Sequence, residues 1–158
     1  MKSLKFARIA AVALAAAASS AAFAADSQNL AVSATVAGTC KLTAVPAMGF
    51  TLDPSVGGTG TASSAVQYKC TKGLSAGAFT VGAVSNGTTG YSGTLTNAGT
   101  DTIAYSINWT NPSAFTGTGF GSGSTANTVT LNGTIAAAAY QNVAAGTYNG
   151  TVAVTIAP

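Results

Sequence analysis

The chain has 158 residues, of which 6% are charged and 47% are hydrophobic, and its formal net charge is +3. This length suits a single domain with a core of moderate size. Three of the six basic residues lie within the first eight positions, and the other three are lysines balanced by three aspartates. Beyond its first segment the chain is therefore neutral, and it lacks the clustered cations that a nucleic-acid-binding protein needs.

The first 24 residues have the pattern of a secretory signal peptide. Three basic residues precede an apolar run over residues 9–18, and residues 22–24 (AFA) supply a small-x-small cleavage site. The apolar run is shorter than the ~20 residues that a membrane span requires. We therefore predict a cleaved signal peptide over residues 1–24, export of the protein, and a mature chain of about 134 residues with no membrane span.

Residues 27–40, which follow the predicted cleavage site, alternate between apolar and polar side chains. Leu30, Val32, Ala34 and Val36 share one face, and a period of two predicts a β-strand. A strand at the start of the mature chain needs a sheet to join. It either pairs within its own domain or is donated to a neighbouring subunit.

Two cysteines, Cys40 and Cys70, are present in a chain that we predict to be exported. An even number of cysteines in an oxidising compartment predicts a disulfide, which here would close a loop of about 31 residues. A redox or zinc site is the alternative, but the chain has no CxxC motif and no histidine. We therefore predict a structural disulfide.

Several further segments alternate with a period of two, and no segment of the mature chain has a helical period. Strands at this spacing predict an antiparallel β-sandwich. The last predicted strand places Tyr148, Val152, Val154 and Ile156 on one face. The predicted strands are residues 41–45, 61–71, 79–83, 91–96, 101–110, 127–136 and 147–156.

Three shorter features lie between or within these strands. Residues 48–52 are a short apolar piece, and residues 53–54 (DP) predict the turn that closes it. The pairs at residues 132–133 and 149–150 (both NG) are hairpin signals in isolation. Because both lie inside alternating segments, we predict continuous strands, with the glycines as bulges or points of close approach.

The residues that most catalytic sites depend on are missing. The chain has no histidine and no glutamate, and its three aspartates are far apart in sequence. A hydroxyl nucleophile needs a neighbouring base, and acid–base catalysis needs groups with separated pKa values. We therefore predict that the protein is not an enzyme and that it binds no cofactor or metal.

The cysteine-bearing segments and the C-terminus together resemble the spore coat protein U domain family, which includes the pilins of archaic chaperone–usher pili. The features are a cysteine about 16 residues into the mature chain, a second within residues 66–73 (VQYKCTKG), and residues 145–156 (AGTYNGTVAVTI). The resemblance covers nearly all of the mature chain. It implies an incomplete immunoglobulin-like antiparallel β-sandwich that lacks its last strand and is completed by donor-strand exchange.

Carried onto this sequence, the resemblance implies a donor strand over residues 25–37 and a pilin domain over residues 38–158. The implied partners are other copies of the chain, a periplasmic chaperone and an outer-membrane usher, and the implied location is a pilus on the cell surface that serves adhesion and biofilm formation. The implied donor side chains are Leu30, Val32, Ala34 and Val36; the implied acceptor edge and chaperone contact are Tyr148, Val152, Val154, Ile156 and the carboxylate of Pro158.

Two other functions fit the same sequence. The first is a self-complemented secreted or coat protein, in which residues 27–40 fold back into their own sheet. The second is an adhesin that binds a ligand through residues 111–125, which we predict to be a surface loop rich in Gly, Ser and Thr. A two-domain tip adhesin would be longer and would lack a donor strand.

Overall fold

The computed structural model describes residues 26–85, 87–112 and 115–158. Seven β-strands and one 3-10 turn at Ala137–Ala139 make up the regular structure of these residues, which confirms the all-β prediction. The predicted signal peptide lies outside the described residues. The strands are β1 (Cys40–Ala44), β2 (Gly60–Cys70), β3 (Ala78–Val81), β4 (Tyr91–Thr96), β5 (Thr102–Trp109), β6 (Asn127–Ile135) and β7 (Val154–Ala157).

The chain divides into two units, Met1–Ala34 and Thr35–Pro158, and all seven strands belong to the second unit. Residues 26–39 have no regular secondary structure. The strand predicted over residues 27–40 is therefore not formed before Cys40, where β1 begins. A strand is defined by its ladder of hydrogen bonds to a neighbour, so the alternating sequence alone does not produce one.

Burial alternates along the longest strands, as the period of two predicts. In β5 the side chains of Ile103, Tyr105, Ile107 and Trp109 are buried, whereas the residues between them are exposed or half-buried. The same alternation occurs in β2 and β6. β3 ends two residues earlier than predicted, because Gly82 turns the chain with a φ of 62°.

The strands form two antiparallel sheets. The first has five strands in the order β1-β2-β6-β5-β4, and the second consists of β3 and β7. Side chains from both sheets meet in one core, where the rings of Phe79 on β3 and Trp109 on β5 pack edge to face with centroids 6.2 Å apart. The architecture is an incomplete immunoglobulin-like β-sandwich, because the second sheet has only two strands against five in the first.

The disulfide between Cys40 and Cys70 is confirmed, since the two sulfur atoms are bonded. The two cysteines are direct partners in the ladder between β1 and β2, and their Cα atoms are 4.1 Å apart. Cys70 is fully buried. The bond therefore fixes the start of β1 against the end of β2, next to the point where residues 35–39 join the domain.

The last predicted strand is shorter in the structure than in the sequence pattern. Only β7 is regular, whereas residues 147–153 are irregular and Asn149 exchanges two backbone hydrogen bonds with Thr96 of β4. This stretch pairs first with the edge of the five-stranded sheet and then joins β3. A segment that changes its partner in this way cannot form one continuous ladder, so the prediction for residues 147–153 is wrong.

The two Asn-Gly pairs have different places in the structure. β6 runs without interruption through residues 132–133, and a Cβ on Gly133 would lie 2.6 Å from Cζ of Phe50. The predicted close approach at Gly133 is therefore confirmed. Residues 149–150 lie outside a continuous strand, so the predicted continuity is wrong there. The predicted close approach holds at Gly150 as well, because a Cβ on it would lie 3.0 Å from Cδ2 of Leu95.

We expect the stability of the domain to change little between about pH 5 and pH 9, because the chain has no histidine and no glutamate. Above about pH 10 we expect a steep loss. Burial raises the pKa of Tyr68 and that of Tyr105, which Tyr91 raises further. Their neutral forms stabilise the fold below the ordinary tyrosine pKa, and this contribution is lost as the pH rises through the folded-state values. Urea midpoints across this range measure the effect, and Tyr105→Phe should reduce the alkaline loss; an equal loss in that variant would contradict the explanation.

Candidate functional site

A groove with a volume of about 910 Å³ runs along the domain beside the segment that leads into β7. Residues 45–54, which follow β1, form its first wall, and residues 143–154 form its second wall. Its floor consists of side chains from the five-stranded sheet. These floor residues are Ser64, Leu95, Ile103, Tyr105, Ile107 and Leu131.

The first wall belongs to no strand in the structure. Met48, Phe50 and Leu52 are half-buried, and the residues between them are exposed. Ser64, buried on β2, donates its hydroxyl to the carbonyl of Pro46 over 2.7 Å and so ties the wall to the sheet. The short apolar piece in the sequence is therefore one side of a groove.

The second wall contains three of the five residues predicted for the acceptor edge, Tyr148, Val152 and Val154. Val152 and Val154 line the groove and are half-buried, and they alternate with exposed residues. β7 pairs with β3 on one side only, so its other edge has no partner strand in the described part of the chain. An unpaired edge presents a row of backbone N–H and C=O groups that can accept another strand.

The floor of the groove is part of the hydrophobic core. Ile103 is 3% exposed and Leu131 is 4% exposed, yet both line the groove. Both side chains are therefore buried within the domain itself, and the groove lies directly over the core. Apolar side chains entering the groove would pack directly against the core, which makes the site suited to an apolar strand rather than to a polar ligand.

One end of the groove carries polar contacts around Tyr148. Its hydroxyl donates to the carbonyl of Ala144 over 2.8 Å, and a carboxylate oxygen of Asp101 accepts the N–H of Ala144, also over 2.8 Å. Desolvation, together with the neighbouring charge of Asp101, raises the pKa of Tyr148. Tyr148 is therefore held as a neutral hydrogen-bonded group that closes this end of the second wall.

At the same end, Asp53 fixes the turn that follows the first wall. One of its carboxylate oxygens accepts the backbone N–H of Ser55 over 2.9 Å and the Ser55 hydroxyl over 2.6 Å. These hydrogen bonds lower the pKa of Asp53. The turn predicted at residues 53–54 is confirmed, because the N–H groups of Val56 and Gly57 both bond to the Asp53 carbonyl.

The predicted acceptor residues do not all have the same place. Tyr148, Val152 and Val154 line the groove. Ile156 is half-buried in β7, packs on the core and lies opposite Phe79 of β3. Pro158 is exposed just beyond β7, with its carbonyl close to Gly77.

The predicted donor side chains are exposed. The exposed fractions are 86% for Leu30, 84% for Val32 and 81% for Val36, and Ala34 is also exposed. Single exposed apolar residues are common on protein surfaces, but four at alternate positions would form a continuous apolar stripe once the segment is extended as a strand. Such a stripe needs a partner surface.

Sequence reasoning missed the first wall and the floor of the groove. The wall had a detectable signal, since Met48, Phe50 and Leu52 alternate just after β1. The floor had none, because its residues have the same alternating pattern as any core strand. No helix in the described residues is long and apolar enough to cross a membrane.

Comparison with known proteins gives a family for the chain. The model of the spore coat protein U domain matches residues 26–155, which is nearly all of the sandwich together with the segment before it. No curated protein and no solved structure gave a significant match. The chain belongs to the spore coat protein U domain family.

Proposed function

We propose that this protein is the structural subunit of a surface pilus and that it polymerises head to tail by donor-strand exchange. Its family points to a coat or fimbrial subunit outside the cell, with a structural rather than an enzymatic role. Donor-strand exchange in particular is supported by the presence of two complementary features in one chain. The domain has an apolar groove beside an unpaired strand edge, and the preceding segment has an exposed apolar stripe.

The dimensions of the two features agree. From Leu30 to Val36 an extended donor spans about 20 Å, and its apolar side chains recur about every 7 Å on one face. The first wall of ten residues, 45–54, is long enough to run alongside such a strand. The donor backbone would pair with the free edge of β7, and its apolar face would cover Ile103 and Leu131 on the floor.

Burial of the donor face would supply a large part of the binding free energy. Moving a Val or Leu side chain from water into a core is worth about 1.5–3 kcal/mol, so Leu30, Val32 and Val36 would together contribute several kcal/mol. The cost of ordering a segment that has no secondary structure reduces this gain. The backbone ladder with β7 adds to it and fixes the position of each side chain.

Head-to-tail donation is a heterologous contact that does not close, so it produces a fibre rather than a ring. Before the next subunit arrives, the open groove and the unpaired strand edge would be prone to aggregation. We therefore assign a periplasmic chaperone as the first occupant of the groove, with the carboxylate of Pro158 as an anchor for its cations, and an outer-membrane usher as the site of exchange. Adhesion and biofilm formation are the proposed roles of the fibre.

A gel comparison of unheated and boiled mature protein tests the proposal, with mass spectrometry on each band. We expect a ladder of polymers that survives mild detergent without heating and collapses to monomer on boiling. A synthetic peptide of residues 27–38, present during assembly, should shorten the ladder because it competes for the groove. A single monomer band under all conditions would contradict the proposal and favour a self-complemented coat protein.

A further inference from the structure

The three lysines of the domain lie together at one end of the sandwich. Lys41 on β1 and Lys69 on β2 are direct cross-strand partners, and Lys72 follows the end of β2 by two residues. Like charges opposite each other on a sheet are destabilising. Lys69 donates to the carbonyl and hydroxyl of Ser124, each over 2.9 Å, which positions its ammonium group but does not neutralise it. We call this the lysine end.

The two aspartates of the domain lie at the opposite end. Asp53 follows Leu52, which packs beside Gly60 at the start of β2, and Asp101 immediately precedes β5. Because β2 runs from Gly60 to the cysteine beside the lysines, the two ends are about 30 Å apart. We call the end with Asp53 and Asp101 the aspartate end. The domain thus has two poles of opposite sign.

The aspartate end is also one end of the groove. Pro54, next to Asp53, lines the groove, and so do Ala144 and Tyr148, which contact Asp101. From Tyr148 the chain runs through the second wall and along β7, away from the aspartates. β7 is therefore directed towards the lysine end.

The direction of the incoming donor decides which ends meet. Every strand pair in the structure is antiparallel, and antiparallel pairing is the more stable arrangement, so the donor runs opposite to β7. It then leaves the groove at the aspartate end. Only residues 37–39 separate Val36 from Cys40, which allows at most about 14 Å between the end of the donor and the lysine end of its own domain.

We propose that the lysine end of each subunit docks against the aspartate end of the subunit that accepts its donor strand, so that Lys41, Lys69 and Lys72 face Asp53 and Asp101 across every junction of the fibre. This inference rests on the proposed function, and the partner is a second copy of the chain. Opposite charge at the junction steers each subunit into a single polarity and suppresses contact between like ends. It also explains why a neutral chain keeps its few charges so unevenly placed.

Zero-length carbodiimide cross-linking of assembled fibres tests this junction, because it joins a carboxylate to an amine only when the two are in contact. After proteolysis, mass spectrometry should find Asp53 or Asp101 linked to one of the three lysines. The yield should fall at least threefold in 1 M salt, since the Debye length shortens from about 8 Å to about 3 Å. Asp53→Asn retains an acceptor for the Ser55 turn and should remove only the links at position 53.

The control is the domain without residues 27–36, filled with the free peptide, which should give no such links because its poles are about 30 Å apart. Fibres that form a heat-sensitive ladder but yield no link between the aspartates of the domain and its lysines would overturn the junction and leave donor-strand exchange standing. The same holds if the link yield does not change with salt. If no ladder forms, both the proposed function and the junction are contradicted. The presence or absence of the ladder therefore distinguishes the two failures.

Discussion

Removal of residues 27–36 from the mature chain should abolish the polymer ladder and leave a folded sandwich. All seven strands and every buried hydrophobic residue of the core lie after residue 39, so the deletion removes exposed side chains only. It also removes the donor, and without a donor no subunit can fill the groove of the next one. Circular dichroism and urea unfolding measure the fold, and the unheated gel measures the polymer.

The deleted domain also allows a direct measurement of the donor site. A peptide of residues 27–38 added in trans should bind the groove and raise the urea midpoint, because a ligand that binds only the folded state stabilises it by about 2.7 kcal/mol at 100 times its Kd. If the deletion instead unfolds the monomer, the segment is part of its own domain. That result would support the self-complemented coat protein.

Two single substitutions in the donor peptide supply a matched pair. Val32 lies on the apolar face of the donor and Ser33 on the other face. Val32→Asp would place a carboxylate against the core, which costs several kcal/mol, so its affinity should fall by a factor of 100 or more. Ser33→Asp adds the same charge on the solvent side and should change the affinity by less than about tenfold. Equal losses in the two variants would contradict alternate insertion into pockets.

The sequence predicted those features of the fold that depend on one face of one strand. The alternation of Ile103, Tyr105, Ile107 and Trp109 locates β5, since four apolar residues at this spacing have one way to be buried together. The disulfide was predictable as well, because two cysteines in a chain that we predict to be exported have one possible pairing. The continuity of β6 through Gly133 was also predicted, and its reason is the approach of Phe50.

Features that depend on which strand lies next to which could not be predicted in the same way. Residues 147–153 alternate well enough for a strand, but Asn149 pairs with Thr96 and breaks the ladder. Residues 27–36 alternate equally well and have no secondary structure in the structure. The period of two shows which face of a strand is apolar, but it does not identify the strand that pairs with it. For a donor strand the partner belongs to another molecule, so a single chain contains the stripe and the groove separately.

The second large effect is expected from loss of the disulfide, through Cys40→Ser combined with Cys70→Ser. The bond closes a loop of about 31 residues, and the chain-entropy relation gives about 3.7 kcal/mol for a loop of this size. Small domains are stable by only about 5–15 kcal/mol, so this loss is a large part of the total. We therefore expect the variant domain to be largely unfolded near 37 °C when the groove is empty, with a urea midpoint well below that of the parent.

The position of the disulfide extends this prediction from stability to assembly. The bond fixes β1 to β2 immediately before the first wall of the groove, and Leu42 and Ala44 continue from it towards that wall. Without the bond, β1 is a five-residue edge strand, and we expect it to fray together with the first wall. Part of the free energy of donor binding is then used to order both segments. The peptide of residues 27–38 should restore the fold of the double variant but bind it at least tenfold more weakly than the parent.

Lys41→Gln, next to the bond on an exposed position, is the control and should leave the urea midpoint and the peptide affinity almost unchanged. An unchanged affinity in the double variant would show that the first wall is held by its other contacts, of which the hydrogen bond from Ser64 to Pro46 is the strongest candidate.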